Sequence, residues 1–476
     1  MKLSDIIMQH TKILGEDKDI RVLAHNTHED LKDGLFFCVD GFHKDGHNYA
    51  PIAVKKGAVA VVCERPLDLP ENVSQVIVPS VREAMGFMAK NFYGDPARDM
   101  KVVMVTGTNG KTTTTHILKK IFEDAGLKVG LIGTNGTQIG SERILSNLTT
   151  PDPIELFSLL DKMKKARCNI VCMEASAHAL ALHKLDAIKA DVALITNITQ
   201  DHLDFFGDMD NYAEAKARLF VGHQAKVGVF NIDDPNVLKL QERCMLPNVS
   251  FGIDGFADII GGNIIQTEKG QRFEVDYPGE RRAFDVGLDG EFNVYNCLGA
   301  ITIAEILGIP RESVQQSLSE FSPVEGRFNK VKVNGVNVII DYAHTPDGMT
   351  NCLRACKQLA EDKRVIAVFG CGGNRDCAKR PLMGRAAVDN SDLTIITSDN
   401  PRYENPKTII EQICWGLSKD DAFLIEVDRE RAIQKAISLA RAGDVVAVLG
   451  KGSEQFIEKN GEKIPYTDKE TIERML

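Results

Sequence analysis

The chain alternates between short apolar, β-branched runs and stretches with helical periodicity. After residue 101 the runs VVMVTG, NIVCME, VALITN and VGVFN are separated by helical segments, and this rhythm predicts a parallel sheet covered by helices. Between about 249 and 290 the pattern changes to short, turn-rich β segments. A second alternating series follows the turn-rich stretch near 322–335, with the runs VNVIIDYA, RVIAVFG, DLTIITS, AFLIEV and DVVAVLG.

The pattern predicts an α/β fold in three domains. Residues 1–97 mix short strands and helices in a small mixed α/β N-terminal domain. Residues 98–325 form a central parallel-sheet domain with a small added β part, and residues 326–476 form a C-terminal Rossmann-like domain. In doubly wound sheets ligands bind beyond the carboxyl ends of the strands, so candidate chemistry is sought in the loops that follow strands.

Composition narrows the class of protein. The chain has 476 residues, is 43% hydrophobic and 26% charged, and carries a formal net charge of −10, which argues against a nucleic-acid partner held by a basic surface. No stretch approaches a membrane span or a signal peptide. The 11 cysteines are scattered without CxxC spacing, which is typical of reduced core thiols. We expect a cytoplasmic monomer without membrane partners.

A glycine loop lies between the strand VVMVTG and the helix that follows it. Its glycines let backbone N–H groups curl around an anion, Lys111 can reach terminal phosphates, and Thr112 can offer its hydroxyl to Mg²⁺. The spacing departs from G-x-x-x-x-G-K-[ST], since Val105 stands where the first glycine would be. A plain βα turn with a surface lysine is the alternative. The predicted phosphate-binding residues are Gly107, Thr108, Asn109, Gly110, Lys111, Thr112 and Thr113.

The sequence TGTNGKTTT resembles the ATP loop of the Mur ligases, the amide-forming synthetases that build the peptidoglycan stem peptide. The folate polyglutamate synthetases share that fold, and the three-domain layout agrees over essentially the whole chain. The resemblance implies a central P-loop ATPase-like domain, ATP as cofactor and a catalytic Lys111. It also implies further ATP contacts, which are Asn293, Asn296, Arg327 at the hinge, Asp341 and His344.

Two polar strand ends are the candidate magnesium site. Glu174 ends the run NIVCME, and His202 lies in ITNITQDHLDFFG. The resemblance implies that both bind Mg²⁺ beside Thr112 and that Lys216, within helical NYAEAKARLF, carries a carbamate, which converts a cation into a carboxylate-like ligand. Together with Lys111 these residues are the predicted catalytic set. Without the resemblance, Lys216 would be interpreted as a lysine on the helix surface and His202 as a structural histidine.

Three strand-end loops of the C-terminal domain carry charged side chains that should converge at one edge of the sheet. Two arginines can each hold a carboxylate, and an acidic residue can pair with an ammonium. Two carboxylates and a distal ammonium describe diaminopimelate, and DNPR resembles the diaminopimelate-adding members of the family, whereas lysine-adding members lack the arginine. The predicted amino-acid contacts are Arg375, Asp399, Asn400, Arg402, Gly450 and Glu454.

The acceptor side departs from the family pattern. The resemblance implies acceptor contacts from Thr149, Thr150, Ser176 and Lys184. The departures are Asn26, Thr27 and His28 in place of a serine–arginine pair, Ala177, Leu182 and Lys184 in place of serine, glutamine and arginine, and Ser453 in place of histidine. Lys184 keeps the positive charge of an arginine but lacks the planar guanidinium that can hold a carboxylate or phosphate with two hydrogen bonds. A divergent lineage of the same enzyme and a paralogue with another acyl acceptor both explain these changes.

The resemblance implies ATP-dependent amide synthesis through an acyl phosphate. The expected reaction adds a diamino acid, meso-diaminopimelate, to UDP-N-acetylmuramoyl-L-alanyl-D-glutamate in peptidoglycan precursor synthesis. One alternative is a paralogous ligase with another acceptor or another amino acid, such as L-lysine. Others are a folate- or polyglutamate-type ligase, against which DNPR argues, a P-loop kinase or ATPase with a metabolite-sensing domain, and an inactive binding protein.

Overall fold

A computed structural model describes residues 1–8, 11–42, 44–146, 148–222 and 224–476. Its N-terminal part is a mixed sheet in the order β1-β5-β4-β3-β2, in which β1 is antiparallel and the other strands are parallel. The third and fourth strands are apolar on both faces because core side chains cover both sides of the sheet. The elements are α1 (Leu3–Ile6), β1 (Lys12–Leu14), β2 (Val22–Ala24), β3 (Gly34–Phe37), α2 (Ala50–Lys55), β4 (Ala58–Cys63), β5 (Ser74–Ile77) and α3 (Val81–Phe92).

The central part begins with the strand that precedes the glycine loop. Its first half contains β6 (Lys101–Thr106), α4 (Lys111–Asp124), β7 (Val129–Gly133), β8 (Gly136–Ile139), β9 (Glu142–Ile144), α5 (Pro153–Lys165), β10 (Ile170–Glu174), α6 (Ala177–Ala181), β11 (Ala190–Ile195), α7 (Leu203–Phe206) and α8 (Met209–Val221). Its second half contains β12 (Ala225–Asn231), α9 (Pro235–Arg243), β13 (Asn248–Gly252), β14 (Ile259–Thr267), β15 (Gly270–Tyr277), β16 (Glu280–Val286), α10 (Glu291–Ile306) and α11 (Arg311–Ser319).

The central strands join one sheet in the order β16-β15-β14-β13-β12-β11-β6-β10-β7-β8-β9. The middle of this sheet is parallel, and antiparallel strands extend it at both ends. The turn-rich β segments near 249–290 are therefore continuous with the main sheet. The carboxyl ends of β6, β10 and β11 lie side by side, which brings the glycine loop next to the two polar strand ends that follow β10 and β11.

The C-terminal part is a second wound sheet in the order β17-β18-β22-β19-β20-β21, parallel except for β17 at its edge. A separate β23-β24 hairpin follows β22, which the alternation did not predict. The elements are β17 (Asn329–Val333), β18 (Val336–Asp341), α12 (Pro346–Ala360), β19 (Val365–Phe369), α13 (Lys379–Asp389), β20 (Leu393–Ile396), α14 (Pro406–Cys414), β21 (Phe423–Ile425), α15 (Arg429–Leu439), β22 (Val445–Leu449), β23 (Phe456–Lys459), β24 (Glu462–Pro465) and α16 (Asp468–Glu473).

Local sequence explains where the site-bearing helices begin. The Asp208 side chain accepts a hydrogen bond from the Asn211 N–H and caps α8, and Thr345 caps α12 in the same way, followed by Pro346 in the first turn. The cysteines are free thiols, and Cys377 is the exposed one. Among the described helices, none combines the length and the apolar character that a bilayer span requires.

Candidate active site

A cleft of about 1320 Å³ separates the central and C-terminal parts and is lined by loops that follow their strands. Most of the residues predicted from the sequence line it: Gly107, Thr108, Asn109, Gly110, Lys111, Thr112, Thr113, Thr149, Thr150, Glu174, Ser176, Lys184, His202, Lys216, Asn293, Asn296, Arg327, Asp341, His344, Arg375, Asn400, Arg402 and Glu454. Asp399 and Gly450 lie outside the lining. The cleft is thus where both sheets present their carboxyl edges.

The glycine loop connects β6 to α4 in a conformation that requires glycine at two positions. Gly107 has φ +140° and Gly110 has φ +89°, and both values are strained for residues with a side chain. A Cβ on Gly107 would also overlap the Thr196 hydroxyl, and one on Gly110 would overlap the Asn296 side chain. The loop therefore curls over the start of α4. The N–H groups of Thr108 and Asn109 donate to Asn197, so an anion would be held by the N–H groups at the beginning of the helix.

The Lys111 side chain folds back over this loop. Its Nζ donates hydrogen bonds of 2.9 Å to the carbonyl oxygens of Gly107 and of Thr108. Burial lowers the pKa of Lys111, and the nearby Glu174 and Asp201 carboxylates oppose that shift. The ammonium is therefore held at the loop, where an anionic ligand would interact with it in a poorly solvated setting.

Glu174 is fully buried at the end of β10, and both of its carboxylate oxygens are engaged. Oε1 accepts hydrogen bonds from Thr112 Oγ1 at 3.0 Å and from the Thr134 N–H at 2.8 Å, and Oε2 accepts one from Thr134 Oγ1 at 3.0 Å. Arg327 Nη2 donates to Thr112 Oγ1 at 3.1 Å. These contacts connect the carboxylate, the first helical turn after the glycine loop and the hinge arginine.

Lys216 lies on the inner face of α8 and is 1% exposed. Its Nζ donates a 2.8 Å hydrogen bond to the Gly107 carbonyl oxygen and lies 4.4 Å from the centre of the Tyr212 ring. Within the described ranges, no carboxylate forms an ion pair with it. Burial, assisted by the Lys111 charge, lowers the pKa of Lys216 well below its ordinary value. Protonated Lys216 is therefore poorly stabilised in this environment.

Asp201 links the central part to the C-terminal part. Its Oδ1 accepts a 2.8 Å hydrogen bond from Lys379 Nζ, and its Oδ2 lies 3.3 Å from His202 Nε2 and 3.5 Å from His344 Nε2. Burial opposes its ionisation, but the His344 hydrogen bond and the Lys379 charge hold the pKa of Asp201 well below its usual range. The sequence analysis did not assign a role to Asp201 or to Lys379, although Asp201 is adjacent to His202 in a polar strand end.

Burial lowers the pKa of His202 to about 3, so its imidazole is neutral near pH 7 and has a lone pair for a metal. Across the described ranges, no three His, Cys, Asp or Glu side chains form a group that would hold a metal ion without other ligands. A metal at Glu174 and His202 would therefore need oxygen atoms from a nucleotide or from a modified side chain.

The other predicted ATP contacts occupy two walls of the cleft. Asn293 Nδ2 donates to the Asp289 carbonyl oxygen at 2.8 Å, and Asn296 Nδ2 donates to Asn293 Oδ1 at 3.0 Å, so both amides are fixed along α10. Asp341 accepts hydrogen bonds from the Phe328 N–H at 2.8 Å and the Ala343 N–H at 2.7 Å. Asp341 therefore anchors the hinge that carries the neighbouring arginine.

The three charged loops of the C-terminal part converge as expected. Asn400 Nδ2 donates to Glu454 Oε2 at 2.8 Å, and buried Lys451 donates to Asn400 Oδ1 at 3.1 Å and to Glu454 Oε2 at 2.9 Å. Arg402 Nη1 donates to the Gly373 carbonyl oxygen at 2.8 Å, next to the loop of Arg375. Lys451 was not predicted as a site residue, because its hydrogen bond to Asn400 reaches a loop that is distant in sequence.

Asp399 and Gly450 lie behind these charged side chains. The Asp399 carboxylate accepts a hydrogen bond from the Asn400 N–H at 2.6 Å and lies 3.9 Å from Arg429 Nη1. A Cβ on Gly450 would lie 2.7 Å from Asp399 Oδ2. The two residues thus support the loops from within the domain, and their predicted contact with an amino acid stays a prediction.

The predicted acceptor residues line the cleft, and Thr150 and Ser176 lie at the carboxyl end of β10. Thr150 Oγ1 donates to the Glu174 carbonyl oxygen at 2.8 Å and lies 3.2 Å from Ser176 Oγ, and Thr149 Oγ1 lies 3.1 Å from Thr134 Oγ1. Lys184 Nζ pairs with Asp152 at 2.8 Å. Ser453 Oγ donates to Asn135 Oδ1 at 3.2 Å and so joins the two walls of the cleft.

Comparisons with known proteins identify relatives over nearly the whole chain. The profile described as the Mur ligase middle domain matches residues 105–304, the Mur ligase, glutamate ligase domain matches residues 326–452, and the Mur ligase family, catalytic domain matches residues 31–93. A Syntrophomonas wolfei protein named UDP-N-acetylmuramoyl-L-alanyl-D-glutamate--2,6-diaminopimelate ligase is 39% identical over 100% of this chain and 99% of its own.

A protein of the same name from Halalkalibacterium halodurans is 41% identical over 98% of this chain and 97% of its own. A solved structure that also has this name aligns with a TM-score of 0.68 and 28% identity over 96% of this chain and 94% of that one. The fold predicted from the alternation is confirmed. The chain therefore belongs to the Mur ligase family of ATP-dependent ligases.

Proposed function

We propose that this ligase joins an amino group of meso-diaminopimelate to the D-glutamyl carboxylate of UDP-N-acetylmuramoyl-L-alanyl-D-glutamate. The observation that carries the proposal is the group of Arg375, Arg402 and Glu454 on the cleft wall opposite the glycine loop. Two guanidinium groups and a carboxylate complement two carboxylates and an ammonium. The full-length relatives that carry this activity in their names support it.

The proposed reaction proceeds through an acyl phosphate. The acceptor carboxylate attacks the γ-phosphorus of ATP, the bond to the β-phosphate oxygen breaks, and ADP leaves. Lys111 and the loop N–H groups stabilise the charge on the transferring phosphoryl group. The amine of the diamino acid then attacks the acyl phosphate, the amide forms with loss of a proton, and phosphate leaves. Asp201, His344 and Lys379 hold the two walls together while this occurs.

Mg²⁺ is the metal that we propose, and the residues present fit it. Glu174 and the Thr112 hydroxyl supply oxygen, and neutral His202 supplies nitrogen. When bound, the metal would neutralise charge on the phosphates. Buried Lys216, with no anionic partner among the described residues and a lowered pKa, fits a side chain that reacts with CO₂ as a neutral amine to give a carbamate. A cytoplasmic location and a monomeric state stay predictions.

The carbamate is tested without measuring activity. After incubation with ¹³C-bicarbonate at neutral pH, we expect the protein to show a carbamate carbon resonance that is missing from Lys216→Ala. Lys119→Ala is the matched control, because Lys119 lies on another helix, α4, and already pairs with Glu123. An unchanged resonance in Lys216→Ala, or none in the parent protein, contradicts the modification of Lys216.

The whole proposal is tested by offering the enzyme ATP, the UDP-muramoyl dipeptide and a panel of amino acids. We expect a new amide, read by mass spectrometry, with meso-diaminopimelate, and much less product with L-lysine, which lacks the distal carboxylate. Phosphate release should require acceptor and amino acid together. Rapid ATP turnover without either substrate would favour a kinase or ATPase, and failure with every amino acid would point to another acyl acceptor.

A further inference from the structure

The hairpin β23-β24 adds a carboxylate to the cleft wall that the sequence analysis did not single out. Along β23, Phe456 and Glu458 line the cleft, as expected for residues two apart on one face of a strand. Glu458 is positioned by its own backbone, because its N–H donates to Asn400 Oδ1 at 2.9 Å. The hairpin is therefore joined directly to the DNPR loop rather than lying free on the surface.

The backbone of Arg402 is also bound to this hairpin. Its N–H donates to the Glu458 carbonyl oxygen at 3.0 Å, and its own carbonyl oxygen accepts a 2.7 Å hydrogen bond from the Asn460 N–H. Arg402 has φ +51°, a left-handed conformation that is uncommon for a residue with a long side chain. Such a conformation persists where surrounding contacts over-determine it, and these two hydrogen bonds are such contacts.

The guanidinium group of Arg402 is held on two of its three nitrogens. Nε donates to Glu458 Oε2 at 3.0 Å, and Nη1 donates to the Gly373 carbonyl oxygen at 2.8 Å. In the described part of the chain, Nη2 has no hydrogen-bond acceptor. The Arg402 and Glu458 side chains are only 20% and 26% exposed, so the ion pair is partly shielded from water.

From this arrangement we infer that Glu458 is a positioning residue for amino-acid selection. By holding Nε, it turns the guanidinium so that the Nη2 end is left for the distal carboxylate of the diamino acid. The inference rests on the proposed function, since it assigns to Arg402 the recognition of that carboxylate. A planar guanidinium gains most from a fixed orientation, because its donors point in fixed directions.

Three substitutions at position 458 test this role. Glu458→Gln keeps an oxygen that accepts from Nε, so its KM for meso-diaminopimelate should stay close to that of the parent. Glu458→Ala removes the acceptor of the Nε hydrogen bond, and Glu458→Asp shortens the side chain by one methylene so that its carboxylate lies farther from Nε. Both substitutions should raise the KM for meso-diaminopimelate about tenfold. The preference for meso-diaminopimelate over L-lysine should fall by the same factor, while the KM for ATP is unchanged. Glu462→Ala, an exposed change on β24, is the matched control.

A lower KM for meso-diaminopimelate in these variants would overturn the inference. If the Glu458 carboxylate instead occupies the place of the substrate carboxylate, both Glu458→Ala and Glu458→Gln should lower the KM for meso-diaminopimelate. Unchanged kinetics in Glu458→Ala and Glu458→Asp would equally refute a positioning role. Arg402→Ala distinguishes a failure of the proposed function from a failure of the inference about Glu458. If Arg402→Ala leaves this KM unchanged, the proposed function of the loop fails. If it raises the KM and Glu458→Ala does not, only the inference about Glu458 fails.

Discussion

Lys111→Ala is expected to lower kcat for ligation by about 10²- to 10³-fold, the usual effect of removing one preorganised charge-stabilising donor. The reason is the position of Nζ, which is held by two carbonyl oxygens of the glycine loop within a buried site. Phosphoryl transfer depends on positioned positive charge, and water replaces such a charge poorly. The measurement is steady-state phosphate release with all three substrates at saturation.

Two controls make the Lys111 result specific. Lys119→Ala removes a lysine from the same helix and should leave kcat unchanged, because Lys119 pairs with Glu123 away from the cleft. The KM for the amino acid should also be unchanged in Lys111→Ala, since the charged loops lie on the other wall. If Lys111→Ala ligates at the rate of the parent, the glycine loop does not hold the transferring phosphate.

Much of this site follows from one topological rule. Parallel strands end at the same edge of a sheet, so the apolar runs that precede Glu174, His202 and Asn400 were enough to expect clustering around two sheet edges. The glycine loop was equally predictable, because the positive φ values of Gly107 and Gly110 are a local requirement of the turn, to which the close approach of Thr196 and Asn296 is added. Local sequence therefore predicted which loops form the cleft.

The directions of the side chains within those loops could not be predicted from the sequence, because they depend on partners that are distant along the chain. Asp399 turns away from the cleft towards Arg429, which begins a helix 30 residues later. Asp201 is held by Lys379 from the other domain, a pairing that no local pattern encodes. The role of Lys451 is likewise visible only once the second and third charged loops meet.

The hairpin that holds Arg402 is the clearest example of this limit. FIEK and EKIP are too short and too polar to be distinguished from a loop by periodicity. The Asn460–Gly461 turn, with positive φ at both residues, favours their pairing locally, but the contacts of the hairpin to the DNPR loop are tertiary. Sequence motifs thus identified the arginine, and the structure identified the carboxylate that orients it.

Arg402→Ala is expected to raise the KM for meso-diaminopimelate by about 10- to 100-fold, the range for losing a hydrogen-bonded charge pair with a ligand carboxylate. The KM for ATP should be unchanged, because the Arg402 side chain donates its hydrogen bonds to Glu458 and to Gly373, both in the C-terminal part. The measurement compares both KM values in the same assay, with L-lysine as a second amino acid.

Arg402→Lys sharpens the test because it keeps the charge. An ammonium cannot reproduce the Nε contact to Glu458, the Nη1 contact to Gly373 and a further bond to substrate in one plane, so we expect most of the loss to remain. Restoration of the parent KM by lysine would mean that charge alone is recognised. The proposal that the oriented guanidinium of Arg402 recognises the carboxylate would then be wrong, even though the loop still binds the amino acid. An effect equal for L-lysine and meso-diaminopimelate would show that Arg402 does not contact the distal carboxylate.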